Sequence, residues 1–123
     1  MAAGNEAGAR ASLKQVNSLD PTDVSTLLGL ASLLQKAGDP AAQAVAERAV
    51  SLAPANAAAK SLLGSILVQQ GQLEAGIRHL RDARLRDPNS GLVRYRLAHA
   101  LAATGRLEEA KSEMTAALAA TDK

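Results

Sequence analysis

One phrase that occurs twice constrains this chain more than any other feature. Gly71-Gln-Leu-Glu-Ala-Gly76 returns as Gly105-Arg-Leu-Glu-Glu-Ala110, 34 residues later. Pro21, Pro54 and Pro88 are spaced by 33 and 34 residues, and so are Gly38, Gly71 and Gly105. An apolar run with helical spacing lies between each of these prolines and the next glycine, as in Leu62 to Gln70. A second run follows each glycine, as in Leu73 to Asp87. Glycine just past a helix end takes the left-handed conformation that closes it, and proline cannot continue a helix. Each unit therefore reads as two helices of roughly 13 to 15 residues joined by a tight turn. The glycine pair in the opening phrase also matches the first half of a phosphate-binding loop. Ile77 and Arg78 stand where that loop needs its lysine and hydroxyl, so the glycines are structural punctuation.

A period of 34 built from helix pairs marks a repeat array. The second unit carries Leu63-Gly64, Leu67, Gly71, Gly76, Leu80, Ala83 and Pro88; the third carries Leu97-Ala98, Leu101, Gly105, Ala110, Met114 and Ala117. The first is less regular, with Leu30-Ala31, Leu34, Ala42, Ala46, Ala49 and Pro54. It is one residue short at Gly38-Asp39-Pro40, where Asp39 can cap the second helix and Pro40 open it. In these residues the chain resembles the tetratricopeptide repeat (TPR) family, over roughly residues 7 to 120. The resemblance implies an all-α, right-handed superhelical TPR solenoid of three helix-turn-helix repeats. Repeats are expected at 22–54, 55–88 and 89–121, preceded by one helix of a partial repeat at 7–19 that carries Ala9, Leu13 and Val16. Residues 1–123 then form a single TPR domain, expected to be a fragment of a longer array. Where the family often places aromatics, this chain has aliphatics, small residues or Lys60. A narrower resemblance rests on Leu63-Gly64, Gln70-Gly71, Arg94-Tyr95 and Leu97-Ala98. It is to the C-terminal repeats of large bacterial TPR proteins of exosortase-linked and exopolysaccharide-linked export systems.

In this family the first helices of successive repeats line a concave groove that receives a peptide or a partner helix. The matching positions are Ser25, Leu28, Ser32, Gln35 and Lys36; Ala58, Ser61, Ser65, Val68 and Gln69; and Leu92, Tyr95, His99, Ala102 and Ala103. The lining is small and mildly polar, with Leu92, Tyr95 and His99 as its one larger wall. Tyr95 offers a rigid amphipathic contact. The positions by which one subfamily clamps a chaperone's terminal carboxylate hold Leu28, Ser32, Leu62 and Leu92, and only Arg96 fits. Without the cationic fork a carboxylate would be poorly paired, which excludes that ligand.

Charge offers a second reading. Residues 78–106 hold seven arginines against Asp82 and Asp87, while formal net charge over the whole chain is only +2. A belt of Arg78, Arg81, Arg84, Arg94 and Arg96 suits an anionic polymer, exopolysaccharide or nucleic acid. Such binding would weaken steeply with salt. Nucleic acid is not expected, since stacking platforms are wanted beside the charge and Tyr95 is the one aromatic residue. Arg78 and Arg86 are each four residues from Asp82, so a solvated, self-paired face explains the same charges.

Catalysis finds no support in the residues. His79 and His99 lie 20 apart on different helices with no metal-ligand spacing, and cysteine is absent. Ser65 follows Gly64 without a nucleophile elbow. Glu108, Glu109 and Glu113 begin a helix, where negative charge favours the macrodipole. No enzyme, metal or cofactor is expected. On the last helix, Leu107, Met114 and Leu118 are left uncovered unless another helix follows, so a homodimer is expected there. The opening ten residues carry no signal-peptide pattern, and the longest mostly apolar run, Leu27 to Leu34, is too short to span a bilayer. A soluble chain without membrane insertion is expected, in the cytoplasm or periplasm according to its parent protein.

Overall fold

The computed structural model of the protein describes residues 23–121. The expected partial-repeat helix at 7–19 lies outside these residues. Six helices follow in order: α1 (Val24–Lys36), α2 (Ala41–Leu52), α3 (Ala57–Gln69), α4 (Leu73–Arg86), α5 (Gly91–Ala103) and α6 (Leu107–Thr121). Among the described residues the fold is all-α. They fall into two compact units, divided after Pro54. The first holds the hairpin α1–α2, and the second holds the hairpins α3–α4 and α5–α6.

Each hairpin begins with the same device. Asp23, Asn56 and Ser90 sit in extended conformation before α1, α3 and α5. Their side chains accept from the backbone N–H three residues on, at Thr26 (3.3 Å), Ala59 (3.0 Å) and Val93 (3.2 Å). Each cap satisfies one of the donors that a helix start leaves unpaired. The three caps repeat with the array's own period. The second helices start differently. In the first unit Asp39 Oδ1 accepts from Ala41 N at 2.9 Å, as the short Gly-Asp-Pro turn suggests.

Between the two helices of every hairpin the chain must reverse within a few residues. Gly38, Gly71 and Gly105 do this with positive φ of 71°, 87° and 81°. The N–H after each glycine donates five residues back, Asp39 to Leu34, Gln72 to Leu67 and Arg106 to Leu101, at 2.8–2.9 Å. This is a Schellman closure, which a residue with a Cβ adopts only under strain.

Packing inside the hairpins depends on small residues facing each other. In α3–α4 these are Gly64 and Gly76. A Cβ on Gly64 would come within 2.8 Å of the Gly76 carbonyl oxygen, and one on Gly76 within 2.7 Å of the Gly64 oxygen. At the matching positions the other hairpins have buried alanines, Ala31 with Ala42 and Ala98 with Ala110. In the second unit α4 and α3 both pack on α5. Ile77, Leu80, Leu97, Ala100, Leu101 and Ala110 form one buried cluster, with Val68 against it. No aromatic side chain is needed, because short side chains bring the backbones close enough for Leu and Ile to fill the space between them.

Gly64→Ala is expected to lower stability by about 1–3 kcal/mol, because the added methyl meets backbone that cannot yield. Gly29→Ala in α1, where a Cβ meets nothing within 4 Å, should be neutral or stabilising. Thermal and urea unfolding of the two variants checks this contrast.

Candidate functional site

The cap at Ser90 fixes where α5 starts, and the helical period then sets its faces. Leu92, Tyr95 and His99 fall at i, i+3 and i+7 on one exposed stripe; Leu92 and Tyr95 are each more than half exposed. On α3, Ser65 is half-buried and Gln69 exposed. Ser61, expected beside them in the groove lining, is only 1% exposed. That placement is corrected by α5, whose Arg96 reaches back and donates from Nη1 to the Ser61 hydroxyl. Burial lowers the Arg96 guanidinium below its usual range. It still carries its charge at neutral pH. In the first unit, Ser25 and Lys36 of α1 are exposed and Leu28 and Ser32 half-buried.

The arginine belt turns largely inward, onto carboxylates of the same unit. Arg84 of α4 and Arg94 of α5 both bind Glu113 of α6, Arg94 at 2.9 Å. Arg94 also donates from Nε to the Pro88 carbonyl, at 2.9 Å. Arg81 meets Glu109 at 3.0 Å, and Arg106 meets Glu74 at 2.6 Å. Asp82 is held by Arg86 at 3.3 Å and by Lys60 of α3 at 2.6 Å. The pairing of Asp82 with Arg78 expected from spacing is replaced by this contact with Lys60. Arg78 is exposed. The Lys60 hydrogen bond is the main cause of a lowered Asp82 pKa, with Arg86 assisting.

Glu113, expected with Glu108 and Glu109 to serve the helix dipole, has a further role. It is 8% exposed and joins three helices. A signal was present: Ala110, Glu113 and Ala117 share the buried stripe of α6, and a carboxylate on an apolar stripe needs a cationic partner.

A cleft of about 440 Å³ opens between α5 and α6, from Tyr95 and His99 to Lys111 and Met114. Its walls are mostly apolar. Leu107 borders it at 60% exposed, and Leu118 is exposed further along α6. His79 approaches the Ala75 carbonyl of its own helix at 3.0 Å. No three of His, Cys, Asp or Glu converge as metal ligands among the described residues, and none of their helices is long and apolar enough to cross a membrane.

Two measurements probe this ion network. Glu113→Ala should cost about 1–3 kcal/mol in urea unfolding, because two half-buried guanidinium groups lose one shared carboxylate. Arg81→Ala, whose partner is exposed, should cost well under that. The lowered Asp82 pKa makes its contribution fully present above the unfolded value near 3.8 and lost as pH falls through the lower folded value. The difference in Tm between wild type and Asp82→Asn should therefore be widest near neutrality and shrink as pH falls below 3.8.

Comparison with known proteins agrees with this architecture. A tetratricopeptide repeat family model matches residues 40–90 and 67–123, together well over half of the chain. No curated protein sequence matches the chain. Among solved structures, one of MamA is 26% identical with a TM-score of 0.77, covering 91% of this chain and 66% of that one. MamA residues 41 to the end from Desulfovibrio magneticus RS-1 gives 23% identity and a TM-score of 0.80, covering 98% and 68%. The Thermobaculum terrenum O-GlcNAc transferase is 30% identical with a TM-score of 0.75, covering 79% of this chain but 19% of the transferase. The chain thus spans about two thirds of the MamA chains and a fifth of the enzyme. With caps, glycine closures and small-residue crossings all on the repeat's period, the chain belongs to the tetratricopeptide repeat family.

Proposed function

We propose that this protein is a non-catalytic interaction module that holds a peptide or helix of another protein against the first-helix face of its second unit. The TPR fold is in general a scaffold for protein–protein interaction. The observation that carries the finer reading is the stripe Leu92, Tyr95 and His99, exposed on a helix whose opposite side is locked into the core. Large side chains held rigid before a partner arrives lose little entropy on binding, which is why aromatic anchors dominate such contacts. YrrB, whose structure is 21% identical to this chain with a TM-score of 0.71, is described as a TPR protein with an unusual peptide-binding site. The partial match to a transferase supplies no catalytic activity, since it spans a fifth of that protein.

The alternative, an anionic polymer on the arginine belt, is disfavoured by the ion pairs. Arg81, Arg84 and Arg94 already have carboxylate partners, and Arg96 is spent on Ser61. A polyanion would have to displace these contacts before gaining its own.

Affinity capture with wild type, Tyr95→Ala and Leu92→Ala tests the proposal. Tyr95→Ala is expected to weaken the captured partner by about 2 kcal/mol, roughly thirtyfold, with little change between low and high salt. Recovery that is unchanged in both variants, or that collapses with salt alone, would reject this surface.

A further inference from the structure

Given the α5 stripe as the binding surface, we propose that Ser61 determines what it accepts. The Ser61 hydroxyl holds the Arg96 guanidinium against α3, so that Leu92, Tyr95 and His99 receive an uncharged, apolar segment of the partner rather than an acidic one. Arg94 and Arg96 stand on either side of Tyr95 in the sequence. An arginine beside an exposed tyrosine ordinarily adds a cation to whatever the ring contacts, because its long stem carries the charge out to water. Here both are drawn away. Arg94 is fixed to Glu113 and to the Pro88 carbonyl, each at 2.9 Å. Arg96 crosses to a different helix, donating to Ser61 of α3. Leu62 holds the same position one repeat earlier and is 3% exposed, in keeping with this inward course.

The two tethers differ in kind. Glu113 holds Arg94 with a charge, whereas Ser61 holds Arg96 with a neutral oxygen. Arg96 keeps its charge at neutral pH, so removing the hydroxyl leaves a half-buried cation short of an acceptor. Such a group regains its acceptors by moving to water. The helix decides where it goes. On α5 the surface neighbours of Arg96 are Leu92, four residues before it, and His99, three after it. A released guanidinium therefore arrives on the stripe. Ser61 is 1% exposed, so it touches no partner and acts through Arg96.

Tyr95 is the one aromatic residue of the chain, so its intrinsic fluorescence reports on the stripe without a label. The test compares quenching by iodide, an anion, with quenching by neutral acrylamide at fixed ionic strength. The ratio of the two constants senses local charge and cancels changes in exposure. Ser61→Ala should raise this ratio about twofold. Arg96→Gln alone should leave it at the wild-type value, and Ser61→Ala with Arg96→Gln should return it there. In fluorescence anisotropy, fluorescein-labelled hexaglutamate should bind Ser61→Ala about threefold more tightly than wild type. A ratio unmoved by Ser61→Ala, a rise that survives Arg96→Gln, a fall in Arg96→Gln alone, or equal hexaglutamate affinities would overturn the proposal. Arg96→Gln decides the question even where Ser61→Ala does not fold, since an unchanged ratio places the cation away from the stripe. None of these measurements uses the captured partner, so failure of the tether and failure of the stripe are read separately.

Discussion

The approach of two helix backbones at Gly64 and Gly76 is the contact on which the second unit depends. Each glycine's missing Cβ is the space its partner's carbonyl occupies. With the helices this close, Leu80 and Ile77 of α4 reach past the crossing to meet Leu97, Ala100 and Leu101 of α5. A chain with 1% aromatic residues can form a dry core this way, because the volume to be filled is small. Buried alanines, Ala98 and Ala110, stand at the matching positions of the next hairpin, with a methyl group in place of a hydrogen.

Stacking a hairpin on its neighbour then decides the fate of every side chain near the junction. Ser61 would be groove lining on an isolated hairpin, and under α5 it becomes a buried acceptor for Arg96. Glu113 would be one of three acidic residues on α6, and between Arg84 and Arg94 it becomes the link among three helices. Much of the positive charge is consumed in this way. What α5 leaves on its outer side, Leu92, Tyr95 and His99, is apolar and weakly polar, which is why a peptide is proposed there in preference to a polyanion.

Most of the fold was legible because it is written in local rules that recur with a fixed period. Gly38, Gly71 and Gly105 each close a helix, and the apolar spacing on either side assigns a core face without reference to the rest of the chain. The caps at Asp23, Asn56 and Ser90 obey the same period and could have been read with them. Pairings across helices were not legible in the same way. Spacing of four residues pointed Arg78 to Asp82, yet Lys60 holds that carboxylate from another helix. Sequence distance measures neighbours along one helix only, and these partners are 22 residues apart.

The sequence by itself determined the helices, their turns and the small residues at which they cross, since each depends on backbone conformation within a few residues. Tertiary structure alone decided which polar and charged side chains remain on the surface. In the second unit that choice is set by α5, which covers one face of the α3–α4 hairpin. Ile77 and Lys111 show the result: they occupy equivalent positions 34 residues apart, and α5 buries the one that can lose its water without penalty.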